Sequence, residues 1–522
     1  MELNMSKIYI SCLFAVATMG LAKGQSSFEI EQFKLQEVAH ESGNAALLNT
    51  LNFQNIGESS LYFQHSKGDF KHPLLAKESN HYGFSSERYQ TLNKWKVYGR
   101  FGVDMGKELN VPHTTQLNPL RINPYIIVDS LSGDWNKQSY AIETKIASPV
   151  YNDRVGVGLG LKYGVATGAR QRDPRPQNTN NELELTPSVI YQLNAKNTLG
   201  LTGQYRYFVE DFNVSNINTT TVHNMYKLIG VGEYVGSSPI FISTGGITRK
   251  YIGNKFGGSL QYAYTTDNFK VLAEGYTHVN NEEATDGSAN PQNAGKHHYI
   301  QYGVNLATVY GHDALLHRLS LAWDQKDIDN TESHQYQDAT TRQYVTLFSE
   351  VFNTNLVTTA TLNYQLGKSK DAMPNWTTGI GVTYDGWDNR YSANQSQQTI
   401  DRLTVAANFK KYFNFSNLSG LSILVEPGYS NAFSSKFAYD EKAYSTNFVA
   451  KNILYPTNAF LDMDYWSIHS AIQYNFKKSA NSSTQLYVKI SETSLLPTES
   501  NTYYNTKQSR FVGQIALGFL SF

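Results

Sequence analysis

Across residues 154–165 the chain alternates without a break: Val155, Val157, Leu159, Leu161, Tyr163 and Val165 fall on one face, and Gly156, Gly158, Gly160, Lys162 and Gly164 on the other. A period of two is the signature of a strand with one face in an apolar medium and the other turned to a different environment. The same device recurs at residues 95–103, where Trp95, Val97, Phe101 and Val103 oppose Lys96, Tyr98 and Arg100. It returns at residues 198–209, with Leu199, Leu201, Tyr205, Tyr207 and Val209 against Thr202, Gln204 and Arg206. Further alternating segments lie at residues 139–147, 300–310, 315–323, 375–384, 403–413, 465–476 and 485–490.

Short connectors at 193–197, 236–239, 266–268, 311–313, 414–417 and 477–483 contrast with long polar stretches at 67–93, 166–182, 212–223, 280–297, 327–341, 386–399 and 493–508. Short turns on one side and long loops on the other are the asymmetry of a transmembrane barrel, with turns toward the periplasm and loops outside. The expected fold is all-β: a single transmembrane antiparallel β-barrel of about 18–22 strands with long extracellular loops, at roughly 9 to 11 residues for each tilted crossing. The up/down parity does not close between residues 343 and 375, so a strand there is merged or misplaced.

The ends agree with this reading. Residues 509–522 alternate and finish on Leu520 and Phe522, which resembles the carboxy-terminal signature of bacterial outer-membrane barrels. Lys7, an apolar run over residues 8–21 and the small residues Ala22 and Gly24 before Gln25 mark residues 1–24 as a removed secretory signal. The single cysteine, Cys12, lies inside that run, so the mature chain has no disulfide to draw on. Residues 25–59 lack the alternation, and 33–51 read as partly helical. They form an amino-terminal segment, a small partial plug or an appendage outside the mouth, ahead of a barrel over residues 60–522. At this length the segment is far too short for the folded plug of a TonB-dependent transporter.

Composition narrows the function classes. Lys plus Arg total 44 against 44 Asp plus Glu, a balance that argues against nucleic acid as a partner. Beyond the signal no stretch approaches the roughly 18 apolar residues of a spanning helix. Tyr (36), Phe (26) and Gly (38) favour strands, interfacial girdles and turns.

Candidate chemistry is sparse. Arg170, Arg172 and Arg175, with Pro174 and Pro176 stiffening the backbone, form a loop motif suited to phosphate, sulfate or carboxylate groups, of lipopolysaccharide or of a ligand. The alternative is a loop anchored by its own Arg–Asp pairing. The lumen-facing set holds more bases (Arg100, Lys145, Lys162, Arg206, Arg318, Lys410 and Lys489) than acids (Glu143 and Glu274). Such a set favours an anionic solute if the lumen is open and an internal salt-bridge network if it is not. His297 and His298 are adjacent, so on a strand they face opposite ways and make a poor metal pair. Asp462 and Asp464 are one strand period apart without a calcium-loop pattern. No Gly-x-Ser-x-Gly or other catalytic signature occurs, so neither an enzyme nor a cofactor is expected.

The stretches 82–89 (Tyr-Gly-Phe-Ser-Ser-Glu-Arg-Tyr), 97–101 (Val-Tyr-Gly-Arg-Phe) and 168–176 (Gly-Ala-Arg-Gln-Arg-Asp-Pro-Arg-Pro) resemble a Bacteroidota outer-membrane β-barrel family of unknown function. The resemblance implies fold and location and suggests work beside a TonB-dependent uptake system; the partners expected are outer-membrane lipid and lipopolysaccharide and a TonB-dependent transporter or surface lipoprotein. The function expected is a channel or accessory module for uptake or binding of a polar solute, an anionic one included, with a closed structural or assembly barrel whose loops bind a protein partner or lipopolysaccharide as the alternative.

Overall fold

The computed structural model describes residues 28–53, 55–218, 223–235, 240–241, 246–312, 314–370, 373–415, 419–439, 447–476 and 484–521. The expected signal, the terminal Phe522, the expected connectors at 236–239 and 477–483, and parts of those at 311–313 and 414–417 lie outside the described residues.

Twenty strands form one sheet: β1 (Ile56–Gly68), β2 (Glu78–Leu92), β3 (Trp95–Thr114), β4 (Ile127–Ala147), β5 (Val155–Arg170), β6 (Arg175–Gln192), β7 (Asn197–Ser215), β8 (Asn224–Lys227), β9 (Ile240–Phe241), β10 (Ile247–Thr265), β11 (Phe269–Asp286), β12 (Gln292–His312), β13 (Leu315–Gln337), β14 (Tyr344–Lys370), β15 (Met373–Tyr391), β16 (Ser396–Asn414), β17 (Gly420–Ala438), β18 (Tyr465–Asn475), β19 (Thr484–Pro497) and β20 (Arg510–Ser521). β8 and β9 make a hairpin within the β7–β10 connection, and β8 rests on the start of β4 through Ile127↔Lys227. The other strands pair antiparallel in sequence order, β7 joins β10 directly, and β20 returns to β1 from Gly57↔Ser521 to Gly68↔Arg510. The result, among the described residues, is a closed antiparallel barrel of 18 strands with no open edge.

The outward faces carry the apolar halves of the alternation. Val157 is 45% exposed and Leu260 67%, while on the inward face Ile190 is fully buried. Among the described residues these exposed apolar side chains form the belt that a lipid-facing surface of a transmembrane barrel requires.

Several polar stretches read as loops are the outer ends of strands. β11 runs to Asp286 and β12 starts at Gln292, inside the stretch 280–297. All of β2 lies inside 67–93, its outward set mixing Tyr82 and Phe84 with Ser86, Arg88 and Gln90. Above the bilayer both faces of a strand meet water, so the hydrogen-bonded ladder continues after the apolar alternation stops. The unclosed parity at 343–375 has this cause: β14 is 27 residues long and its first eight residues are largely exposed on both faces, as the β13–β14 hairpin projects beyond the barrel.

The amino-terminal segment lies inside the lumen. Helix α1 (Glu29–Gln36) is followed by 3-10 turns at Ala39–Glu41 and Ala45–Thr50, the second capped by Asn44, whose side chain accepts from the Leu47 amide. An eight-residue helix is marginal alone and is held by what it packs on. Phe33, Val38, Leu47, Leu48 and Leu51 bury against Tyr89, Tyr98, Ala147, Ile190, Val309 and Leu520, all near the short-turn ends of their strands. β1 begins at Ile56, ahead of the boundary at residue 60 that the alternation suggests.

At the opposite end the long connections fold inward. Leu74, Ile126, Tyr226, Leu228 and Ile453 share one cluster, and Phe70, Met463 and Tyr504 another, the latter beside helix α2 (Tyr455–Leu461).

Candidate functional site

The lumen is built around the seated segment. Its acids answer bases of the wall: Glu31 accepts from Lys410 Nζ at 2.6 Å and from the Tyr412 hydroxyl at 2.7 Å, Glu37 from Lys270 at 2.7 Å, and Glu41 from Arg318 at 2.7 Å. Arg318 also donates to the carbonyl oxygens of Lys34 and Leu35. Lys34 in turn pairs with Glu87 of the wall. Asn44 Nδ2 donates to Gln261 at 2.9 Å and Lys145 Nζ to the Ser42 carbonyl at 2.9 Å. The anchors thus run around the circumference from β2 to β16.

Above the segment the wall carries a row of charges on residues that stand directly opposite one another on successive strands. Glu87 faces Arg100, Arg100 faces Glu143, Glu143 faces Lys162, Lys162 faces Glu184, Glu184 faces Arg206, and Arg206 faces Lys255. Signs alternate along the row until its last step. Lys162 bonds Glu184 at 3.1 Å, and Arg206 forms a two-pronged pair with Glu182 at 2.7 and 2.6 Å.

This row borders a chamber of about 560 Å³ whose floor is residues 40–43 of the segment. Lys34, Lys145, Lys162 and Lys255 line it together with Glu41, Glu87, Glu143, Glu184 and Glu274. Further out, Arg121 of the β3–β4 connection reaches across the lumen to Glu210 at 3.0 Å and to Glu282, its guanidinium 4.6 Å from the Phe208 ring centre and 5.0 Å from that of Tyr251. Along β7 the order is Gln204 in the chamber, then Phe208 and Glu210 under Arg121. Beyond Arg121 an apolar vestibule of about 630 Å³ opens among the folded loops.

The three loop arginines are not brought together. Arg170 ends β5 with its side chain wholly buried, paired with Asp129 and donating to the Pro174 carbonyl at 2.6 and 3.1 Å. Arg175 is held by Asp173 at 2.7 Å. Arg172 is exposed and donates to the Ser132 carbonyl at 3.2 Å. Arg170 is thus a structural arginine, turned inward where β5 ends and β6 begins, while Arg172 and Arg175 belong to the loop and the start of β6. Of the lumen set, Lys145 and Arg318 hold the segment, Lys162 and Arg206 hold wall carboxylates, and Arg100 is exposed between Glu87 and Glu143. His297 bonds Asn330 inside while His298 bonds Asn281 on the other face. Asp464 accepts from the Ala432 amide and from Asn431. Arg121, Glu210 and Glu282 escaped the sequence reading, since a single arginine in a polar loop carries no periodic signal.

Fold and lumen together define an outer-membrane-type β-barrel of the porin-like kind with an internal amino-terminal segment. The chain belongs to a family of unknown function (DUF6850), whose model matches residues 45–522. No curated protein matches it. Among solved structures it is similar to the ferric preacinetobactin receptor BauA of Acinetobacter baumannii (8% identity, TM-score 0.41, covering 90% of this chain and 80% of that one). It is also similar to the copper transporter OprC (8%, 0.37, 89% and 81%) and to Pseudomonas aeruginosa OpdK solved with vanillate (12%, 0.35, 90% and 99%).

Proposed function

We propose that the protein is an outer-membrane barrel that takes up a polar solute through a lumen occupied at rest by its own amino-terminal segment. The observation that carries this reading is the chamber, a space of ligand size lined by charges of both signs and bounded by a segment that polar contacts hold to the wall. Most of the wall's bases are matched, Lys162 and Arg206 by wall acids and Lys270, Arg318 and Lys410 by the segment's acids, which favours a neutral or zwitterionic polar solute over the anion that a wholly uncompensated row of bases would select. Displacing the segment would uncover Lys270, Arg318 and Lys410 and turn the periplasmic half of the lumen basic.

Planar-bilayer conductance of the full chain and of a variant lacking residues 28–53 tests this. The expected result is a nearly silent full-length protein and a steady conductance in the variant, provided both show the heat-modifiable mobility of assembled barrels. Silence in both favours the closed structural barrel, whose loops bind lipopolysaccharide or a protein. A TonB-dependent transporter or surface lipoprotein is the partner class that the uptake reading calls for, and stoichiometric co-purification from native membranes checks it.

A further inference from the structure

The vestibule differs in chemistry from the chamber beneath it. Its walls come from Ile126, Leu228, Ile400, Ile453 and Leu454, each under 10% exposed, with about 630 Å³ between them. Charged and amide groups around it are already bonded: Arg121 to Glu210 and Glu282, Arg402 to Ser430 and to the carbonyls of Leu461 and Met463, Gln398 to Asn458, Asn353 to Asn389, and Asp385 to Thr359. Two polar atoms are different. Trp387 Nε1 on β15 and Asn355 Oδ1 on β14 are buried, and neither has a hydrogen-bond partner among the described residues. The strand register places them close on the same inward face, because Val357, two residues beyond Asn355, stands opposite Trp387. One is an obligate donor and the other an acceptor, and buried groups of this kind are seldom left unpaired.

We propose that the vestibule is a binding site for a small uncharged molecule with an apolar body, which accepts a hydrogen bond from Trp387 Nε1 and donates one to Asn355 Oδ1. The size fits a ring-bearing molecule, since ligand pockets of about 300 to 1,000 Å³ lined by apolar groups with a few fixed polar atoms are the usual form of such sites. An anionic ligand is disfavoured, because the guanidiniums at the rim are spent on Glu210, Glu282, Ser430 and backbone carbonyls, and the apolar walls favour an uncharged one. The site goes beyond the uptake reading: it binds whether or not the lumen conducts.

Acetanilide is a suitable probe, having a phenyl ring, one N–H and one carbonyl, and propylbenzene is a probe of similar size without either polar group. The protein is placed in lipid nanodiscs and binding is followed by ligand-observed NMR. Saturable binding of both probes is expected, with propylbenzene displacing acetanilide. Trp387→Phe and Asn355→Leu should each raise the acetanilide dissociation constant about five-fold while leaving propylbenzene within two-fold, as loss of one neutral hydrogen bond implies. Ile453→Arg should abolish both. The proposal is overturned if the full-length protein shows no saturable binding, if propylbenzene fails to compete, or if both polar-anchor variants bind acetanilide as the unaltered protein does. Equal signal from an assembled Ile453→Arg protein would assign the binding to lipid and overturn it as well. Should that variant not assemble, the competition and the two conservative variants decide the matter.

Discussion

A Cβ atom built on Gly158 falls 2.4 Å from the backbone nitrogen of Ala46, so the amino-terminal segment touches the wall of β5 where the wall has no side chain. Gly158→Val should therefore unseat the segment without disturbing the sheet, at roughly 1 to 3 kcal/mol of overpacking. The expected outcome is an assembled barrel in which Lys34 becomes a trypsin site. Unchanged protease resistance in an assembled variant would contradict the contact.

On the other face of the same strand, Val157→Arg places a guanidinium against hydrocarbon at about 2 to 4 kcal/mol near the midplane. Its assembled yield, read from heat-modifiable mobility, should fall well below that of Gly156→Ser. The serine meets Asn49 Nδ2 and Ile190 Cγ1 at 3.0 Å and loosens the segment instead of the barrel. Thus both variants are damaging, one to assembly and the other to closure.

Arg170 and Arg172 should separate sharply. Removing the partner of the buried Asp129 with Arg170→Ala should cost on the order of 3 to 5 kcal/mol, and Arg170→Lys a smaller part of that, since an ammonium cannot reach Asp129 and the Pro174 carbonyl together. Arg172→Lys should lie within about 0.5 kcal/mol of the parent. Urea unfolding of the single variants in detergent measures the difference. Replacing Arg170, Arg172 and Arg175 together with lysine would report chiefly on Arg170.

His72 lies in the β1–β2 loop, where burial and then the neighbouring Lys71 charge push its imidazole down to about 4. Its Nδ1 accepts from the Leu74 amide, a role open only to a neutral ring. The unfolded loop binds a proton near pH 6.5 and the folded loop only near pH 4. Stability from this group is therefore complete above about 6.5 and is lost as pH falls through that window, by up to roughly 3 kcal/mol. Hydrogen exchange of residues 69–77 should accelerate between pH 6.5 and 4, and His72→Gln should flatten that profile.

The barrel was legible because a lipid-facing strand must alternate, and Val157 with its neighbours does so in full view. β2 was not, since its outward Ser86, Arg88 and Gln90 dilute the pattern, and the start of β14 was not, since water bathes both its faces. The excess of lumen bases had a visible counterpart that strand reasoning overlooked: Glu31, Glu37 and Glu41 sit in the non-alternating segment and are the acids missing from the wall. The sequence alone cannot bring Arg121 to Glu210 and Glu282, because that contact depends on how a loop turns back into the lumen. Trp387 and Asn355 belong to strands whose inward sets are polar and unremarkable until the folded loops cover them.

The charge row bears on how the sheet is assembled. Sliding one strand by a single residue turns its lysines and arginines into the bilayer, so the period of two already rejects that error. Sliding by two residues keeps every face correct, and hydrophobicity alone would tolerate it. The row does not: such a slip sets Glu143 against Gly160 or Gly164 in place of Lys162, and Arg100 against Ala141 or Lys145 in place of Glu143. Charges on neighbouring strands then act as a vernier, a second and coarser scale that checks the alignment the finer one cannot resolve.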